Sequence, residues 1–333
     1  MSSAAPLALV GPTASGKSAL ALALALARSD AELVSVDSMG VYRHMDIGTA
    51  KPTPAERRAV PYHLLDLVDP DEEFSVRQFQ TAARQALEGI EARAHRALLV
   101  GGTGLYLRAV VDDLELPGRW PEVAAGLEAE ADRPGGLDRL HRRLTTLDPM
   151  AAARVAPGNR RRLVRALEVT VGSGRRFSSF GPGLESYPPS PVVLVGVRFD
   201  PVRHDPAIAA RFAALMEAGL LDEVRALARR PGGLSRTARQ ALGYRELLTH
   251  VEDGVALDDA VAAAVRRTRA FARRQWSWFK RDPRIHWLDA DAGLLPAVLR
   301  WWDDPASLPA SLPAADRRPT SPTGTATPAP VGE

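Results

Sequence analysis

The chain has 333 residues, enough for one large core or two modest ones, and its 45% hydrophobic and 25% charged content is that of an ordinary soluble globular protein. The absence of cysteine excludes disulfides and thiolate metal sites, and no apolar stretch approaches bilayer-spanning length. Net charge is only +3, but just three of the 43 basic residues are lysine (Lys17, Lys51, Lys280), so the placement of the arginines says more than their number. Leu7–Val10 reads as a first strand, followed by the sequence Gly11-Pro12-Thr13-Ala14-Ser15-Gly16-Lys17-Ser18 and a helix from Ser18 to Arg28. Leu33–Val36 predicts a second strand ending at Asp37, and a polar loop with Gly48, Pro52 and Pro54 follows. Ser75–Ala94 has helical spacing, with Val76, Phe79, Ala83, Leu87 and Ile90 on one face. Ala97–Val100 predicts another buried strand, closed by Gly101-Gly102, and Leu105–Val111 a helix. From Asp113 to about Pro191 the pattern is helical and arginine-rich without a convincing strand; Val192–Phe199 resumes the sheet, helices run from Pro206 to Arg281, and Ile285–Leu288 reads as a last strand.

This order predicts an α/β protein with a P-loop NTPase-like parallel sheet core and a helical insertion. Residues 1–112 and 192–305 form the core, 113–191 the insertion, and 306–333 a tail of proline, alanine, serine and threonine that cannot bury enough apolar surface to order itself. The apolar run Leu20–Ala27 lies behind the glycine loop rather than behind a basic N-terminus, so it does not read as a signal peptide, and the chain is expected to be cytoplasmic.

Residues 11–18 complete the G-x-x-x-x-G-K-S phosphate loop, a site for a di- or triphosphate. Its backbone amides and the following helix start face an anion, Lys17 adds a point charge, and Ser18 offers a hydroxyl to Mg²⁺. Asp37 ends a strand where open α/β sheets bind their ligands, placed to hold Mg²⁺ through water or to take a proton from a nucleophile. Thr103 either caps the helix that follows it or presents its hydroxyl to a ligand. The seven histidines show no metal-ligand spacing. Two basic clusters stand out: Asn159-Arg160-Arg161-Arg162-Leu163, and a helix in which Arg266, Arg269, Arg273 and Lys280 line one side while Val261, Val265, Ala272 and Phe279 line another. Trp276 and Trp278 read as core residues rather than base-stacking platforms.

These pieces together resemble the tRNA dimethylallyltransferases, also called tRNA isopentenyltransferases, from about Leu7 to Asp289. The similarity includes Gly11–Ser18, Val36–Met39, Val41–Arg43, Met45–Pro52, His63–Asp66 and Val100–Tyr106. It continues through Arg165–Val169, Gly219–Val224, Gln240–Tyr244 and Arg273–Trp276. The block Asp46–Pro52 together with Gln240–Tyr244 is far more specific than the phosphate loop. The resemblance implies transfer of a dimethylallyl group from dimethylallyl diphosphate to the exocyclic amine of the adenine just 3′ of the anticodon, with Mg²⁺ as cofactor. The tRNA anticodon stem-loop would be the partner, no membrane would be involved, and the protein would act as a monomer.

On that resemblance the phosphate loop, residues Gly11, Pro12, Thr13, Ala14, Ser15, Gly16, Lys17 and Ser18, holds the diphosphate leaving group rather than a nucleotide. Asp37 corresponds to the general base, and Thr103 to a residue touching the tRNA. Ser38, Met39 and Gly40 fall in the same tRNA-binding stretch, and Asn159, Arg160, Arg161, Arg162 and Leu163 in the anticodon-contacting region. The target base would leave the anticodon stack to react. Three positions depart from the family pattern: Gly40 stands where many members have glutamine, Ala124 where arginine is common, and the segment after Phe199 lacks the usual Leu-Tyr pair. Rival readings of the same loop are a small-molecule kinase, a prenyltransferase of free adenosine nucleotides, and an RNA-binding protein whose phosphate site is a switch.

Overall fold

The computed structural model describes residues 5–181, 183–289 and 293–308. In chain order the elements are β1 (Leu7–Val10), α1 (Lys17–Leu26), β2 (Ala31–Val36), α2 (Pro54–Ala59), β3 (Tyr62–His63), α3 (Val76–Ala92), β4 (Arg96–Gly101) and α4 (Gly104–Val111). Four helices follow: α5 (Pro121–Ala131), α6 (Gly136–Leu147), α7 (Pro149–Arg154) and α8 (Arg160–Ser173). The remainder is β5 (Val193–Val197), α9 (Pro201–Glu217), α10 (Leu220–Ala228), α11 (Tyr244–Asp253), α12 (Leu257–Phe279), β6 (His286–Leu288) and α13 (Leu294–Asp303).

The chain divides into two compact units. The first comprises Met1–Phe74, Gln85–Gly104 and Pro191–Glu333, the second Ser75–Arg84 and Leu105–Ser190. In the first, six strands form one parallel sheet in the order β3-β2-β4-β1-β5-β6. All four residues of β1 are buried, as a central parallel strand covered on both faces requires. Leu7, Leu9, Leu33, Leu98 and Val195 pack with Leu24 of α1 and with Val298 and Trp302 of α13 in one core cluster. The Trp302 indole is fully buried, donates to the Ala5 carbonyl at 3.1 Å and lies under the Arg96 guanidinium.

The second unit contains no strand among its described residues. Its core joins Leu127, Leu140, Leu144, Val155, Leu163, Val164 and Leu167. Asp148 is fully buried because its carboxylate caps α7 through the Ala151 amide and also accepts from Ser178.

The sheet strands fall where alternation and apolar runs predict them, with three local differences. The helix expected from Pro206 begins at Pro201, because Asp200 caps the Val202 amide and Pro201 takes the first helical turn, where its missing N–H costs nothing. The two-residue β3 and the helix α13 were not anticipated: β3 is too short for a periodic signal, and α13 sits next to the proline-rich segment. Of the tail expected at 306–333, residues 306 and 307 complete a 3-10 turn that starts at Pro305, and residues 309–333 lie outside those described.

At the start of β2, the buried Glu32 carboxylate collects four hydrogen bonds. Arg93 donates twice, at 2.9 and 2.8 Å, and His63 Nε2 and His95 Nδ1 lie 2.6 and 2.8 Å away. The Arg93 bonds above all, with help from the two imidazoles and against the cost of burial, bring the Glu32 carboxyl down to about 2. A carboxyl lowered from its ordinary 4.5 stabilises the fold fully above that pH and loses its contribution as pH falls toward 2, a span worth roughly 3 kcal/mol. Denaturant unfolding measured from pH 6 to pH 2.5 is therefore expected to show a steep acid loss in the wild type and a distinctly flatter one in Glu32→Gln.

Candidate active site

The loops following β1, β2 and β4 meet at the carboxyl end of the sheet, where open α/β sheets form their ligand crevice. They enclose one side of a cavity of about 580 Å³, and α9, α12 and the segment before α11 enclose the other. Gly16 takes φ 81° at the start of α1 and no side chain caps that helix, so its first amides remain open to an anion. Ala14 is also held in the left-handed region, at φ 62°. The Ser15 hydroxyl, in the same loop, is buried without a hydrogen-bond partner among the described residues. Lys17 donates to the Pro12 carbonyl at 3.1 Å, and its ammonium lines the cavity with Ser18. Burial, then the like charge of Arg211, brings Lys17 down to about 8, with Asp37 opposing.

Across the crevice, Asp37 Oδ1 accepts from the amides of Met39 at 2.7 Å and Gly40 at 3.4 Å, while Oδ2 has no partner among the described residues. These bonds fix the carboxylate plane and leave one oxygen free to accept a proton. The Thr103 hydroxyl accepts from the Ser38 amide at 3.3 Å, a bond that belongs to neither of its two expected roles and ties the β4 loop to the β2 loop. Ser38, Met39 and Gly40 all line the cavity, and Gly40 adds no side chain to it.

Arg211 was not singled out from the sequence. It sits on α9 with Ile208, Phe212 and Leu215, and this arginine on the apolar face of a helix was the available signal. It lines the cavity without an ion pair or hydrogen bond among the described residues. Burial lowers its pKa, and Asp37 partly offsets this. On α12, Arg273 is engaged by Asp205 at 2.7 Å, Arg267 lines the cavity while paired with Glu246, and Arg274 lines the cavity. Trp276 packs at 4.6 Å on the Trp287 ring, and the would-be Cβ of Gly104 meets Trp278.

Three of the most specific sequence blocks converge here. Glu223 accepts from the amides of Asp46 at 2.9 Å, Ile47 at 2.8 Å and Gly48 at 3.3 Å, and from the Tyr244 hydroxyl. Gly48 must lack a side chain, since a Cβ would lie 2.3 Å from the Tyr244 ring. Lys51, almost fully buried, is held by Asp46 at 2.7 Å, Asp66 at 2.6 Å and the Tyr42 carbonyl. Burial raises the Asp66 carboxyl, but the bonds from Lys51 and Arg57 outweigh it and keep it low. The loop so fixed brings Thr49, Ala50 and Pro52 to the cavity.

In the second unit the basic cluster splits by role. Asn159 caps α8 through the Arg162 amide at 3.2 Å, and Arg160 pairs with Glu128 at 2.6 Å and with Asp132. Leu163 is fully buried in the helical core, whereas Arg161 and Arg162 are exposed.

A parallel P-loop sheet with an uncapped helix start, two cationic side chains and a strand-end carboxylate defines an anion-handling α/β enzyme of the group-transfer class. The IPP transferase family model matches residues 40–282, and the chain belongs to that family. It is 49% identical to a tRNA dimethylallyltransferase of Kineococcus radiotolerans over 88% of this chain and 93% of the relative. It is 48% identical to one of Streptomyces coelicolor over 90% and 96%. Among solved structures, it is similar to the tRNA isopentenylpyrophosphate transferase of Bacillus halodurans, with TM-score 0.65 and 34% identity over 94% of this chain and 98% of that one. It is also similar to a eukaryotic dimethylallyltransferase acting on tRNA, with TM-score 0.71 and 26% identity over 91% and 76%. No helix among the described residues is long and apolar enough to cross a membrane.

Two outcomes follow from this geometry. Glu223→Ala leaves three loop amides and the Tyr244 hydroxyl without their acceptor, so denaturant unfolding is expected to show a loss of about 2–3 kcal/mol. Because Lys17 loses its charge through a pKa of about 8, affinity for an alkyl diphosphate probe is expected to start falling between pH 7 and 8 and to weaken further as pH rises. Titration calorimetry should show that slope in the wild type and its absence in Lys17→Met, whose affinity is low throughout.

Proposed function

We propose that the protein transfers the dimethylallyl group of dimethylallyl diphosphate to the exocyclic N6 amine of the adenine 3′-adjacent to the anticodon in tRNA. The observation that carries this reading is the pairing, in one cavity, of an uncompensated cationic cradle with a half-free carboxylate and an apolar wall. The cradle amides, Lys17 and Arg211 suit the diphosphate; Ile208, Phe212, Leu215, Leu242 and Phe271 suit a short hydrocarbon.

In the reaction the bond between the allylic carbon and the diphosphate oxygen breaks while the bond from N6 to that carbon forms. Negative charge grows on the departing oxygen, where Lys17, Arg211 and the loop amides stabilise it more strongly than in the ground state. The amine becomes acidic as it bonds to carbon, and its proton passes to the free Oδ2 of Asp37. The Thr103 hydroxyl, already accepting from Ser38, has its proton left to donate to the nucleotide. The lone pair of an adenine amine is delocalised into the ring, so base removal during attack matters more than substrate acidity alone.

The residues present fit Mg²⁺. The Ser18 hydroxyl lines the cavity without an intramolecular partner among the described residues, Asp37 lies in the same cavity, and Mg²⁺ draws most of its ligands from phosphate oxygens and water. Such an ion, held by Ser18, would neutralise diphosphate charge. Arg161 and Arg162 are suited to the phosphates of the anticodon stem-loop, and the reading places the protein in the cytoplasm as a monomer.

The test uses labelled dimethylallyl diphosphate with unmodified tRNA, free AMP as a competing acceptor, and labelled ATP as a competing donor. Label is expected in tRNA at the adenine beside the anticodon, and absence of incorporation by folded protein with Mg²⁺ overturns the reading. Asp37→Ala is expected to keep tRNA affinity and to lose about 10²–10⁴-fold in turnover. Arg211→Gln is expected to lower turnover and weaken donor binding together, as removal of a leaving-group contact should.

A further inference from the structure

Gln275, on the buried face of α12, joins the phosphate loop to the end of β4 by hydrogen bonds at both ends of its carboxamide, the one side chain to do so among the described residues. Its Oε1 accepts from the Thr13 amide at 2.8 Å, and its Nε2 donates to the Gly102 carbonyl at 3.0 Å. The residue is 7% exposed. Gly102 leaves it the space, because a Cβ there would lie 2.2 Å from Nε2. The chain of contacts continues: Gly102 precedes Thr103, whose hydroxyl accepts from Ser38, and Ser38 follows Asp37. A single polar bridge thus runs from the cradle that holds the leaving group to the carboxylate that takes the proton.

We infer that Gln275 is a positioning residue for the transfer step, setting the separation of the anion cradle from the Asp37–Thr103 edge. The argument is one of geometry. Donor and acceptor are held by different loops on different strands, and the reaction requires the allylic carbon to lie within near-attack distance of the amine. Beyond the strand pairing beneath them and the close approach of the Gly11 carbonyl to Gly102, no other side-chain hydrogen bond joins the loops after β1 and β4 among the described residues. A carboxamide suits the seat because one end must accept and the other donate. A carboxylate would satisfy Thr13 but set a second oxygen against the Gly102 carbonyl. Gln275 itself touches no reacting atom. The sequence offered a weak signal: a glutamine three residues after Ala272 and four before Phe279, on the buried stripe of a helix.

This inference rests on the transfer reading, so wild-type turnover is measured first in the same assay. No wild-type turnover refutes that reading, and wild-type turnover with an unaffected Gln275 variant refutes the positioning role alone. Gln275→Met keeps the side-chain volume and removes both bonds. Single-turnover transfer is expected to slow about 10–100-fold, the range a displacement near 1 Å produces, while KM for the donor and tRNA affinity change little and the thermal midpoint falls by about a few degrees, since the Thr13 amide and Gly102 carbonyl lose their partner. Gln275→Glu supplies a second readout. Protonated, its carboxyl can donate to Gly102 and accept from Thr13; ionised, it cannot donate. The ratio of variant to wild-type rate, which cancels pH effects common to both proteins, is therefore expected to rise as pH falls from 8 to 5.5. A flat ratio, a Gln275→Met rate within twofold of wild type, a loss confined to KM, or failure of both variants to fold would each overturn the proposal.

Discussion

The constraint on which the site depends is positive charge kept partly from water without a salt-bridge partner. Lys17 and Arg211 face one cavity; burial and then the charge of Arg211 lower the pKa of Lys17, and burial lowers that of Arg211. Most other cations of the first unit are matched: Lys51 by Asp46 and Asp66, Arg93 by Glu32, Arg267 by Glu246 and Arg273 by Asp205. An unmatched pair of this kind is electrostatically unfavourable in isolation and favourable around an anion of two or more charges. The open amides of α1 point the same way. The cradle thus presents a preorganised positive field of the kind that stabilises a multiply charged anion.

Around this cradle the protein fixes loops that have no secondary structure of their own. Residues 45–52 could not hold one shape from local propensity, since they include an aspartate, a glycine, a lysine and a proline in eight positions. Glu223 gathers three consecutive amides, Tyr244 covers the glycine, and Lys51 is clamped from both ends of the loop. The result is a rigid cavity wall built by long-range contacts, with rigidity placed where a substrate must be oriented.

The second unit shows how one basic run can serve two ends. Asn159 and Arg160 organise the start of α8, and Leu163 anchors it in the core, so their contribution to RNA recognition would be indirect. Arg161 and Arg162 project outward on the same turn. Helix geometry makes the division unavoidable, because residues four apart share a face while consecutive ones do not.

The local sequence by itself determined the strands β1, β2, β4 and β5, the phosphate loop, and Asp37 at a strand end, because each is set by a few consecutive residues: an apolar run, a glycine spacing, a polar terminus. It also carried the family through several dispersed blocks, without revealing why those blocks belong together. Only the tertiary structure decided that Asp46–Gly48, Glu223 and Tyr244 form one cluster, that Thr103 bonds to Ser38, and that Arg211 and Gln275 complete the crevice. These residues lie far apart in the chain and carry no local signature of their role. An arginine on an apolar helix face or a glutamine on a buried stripe acquires meaning only when the fold brings a second element to meet it.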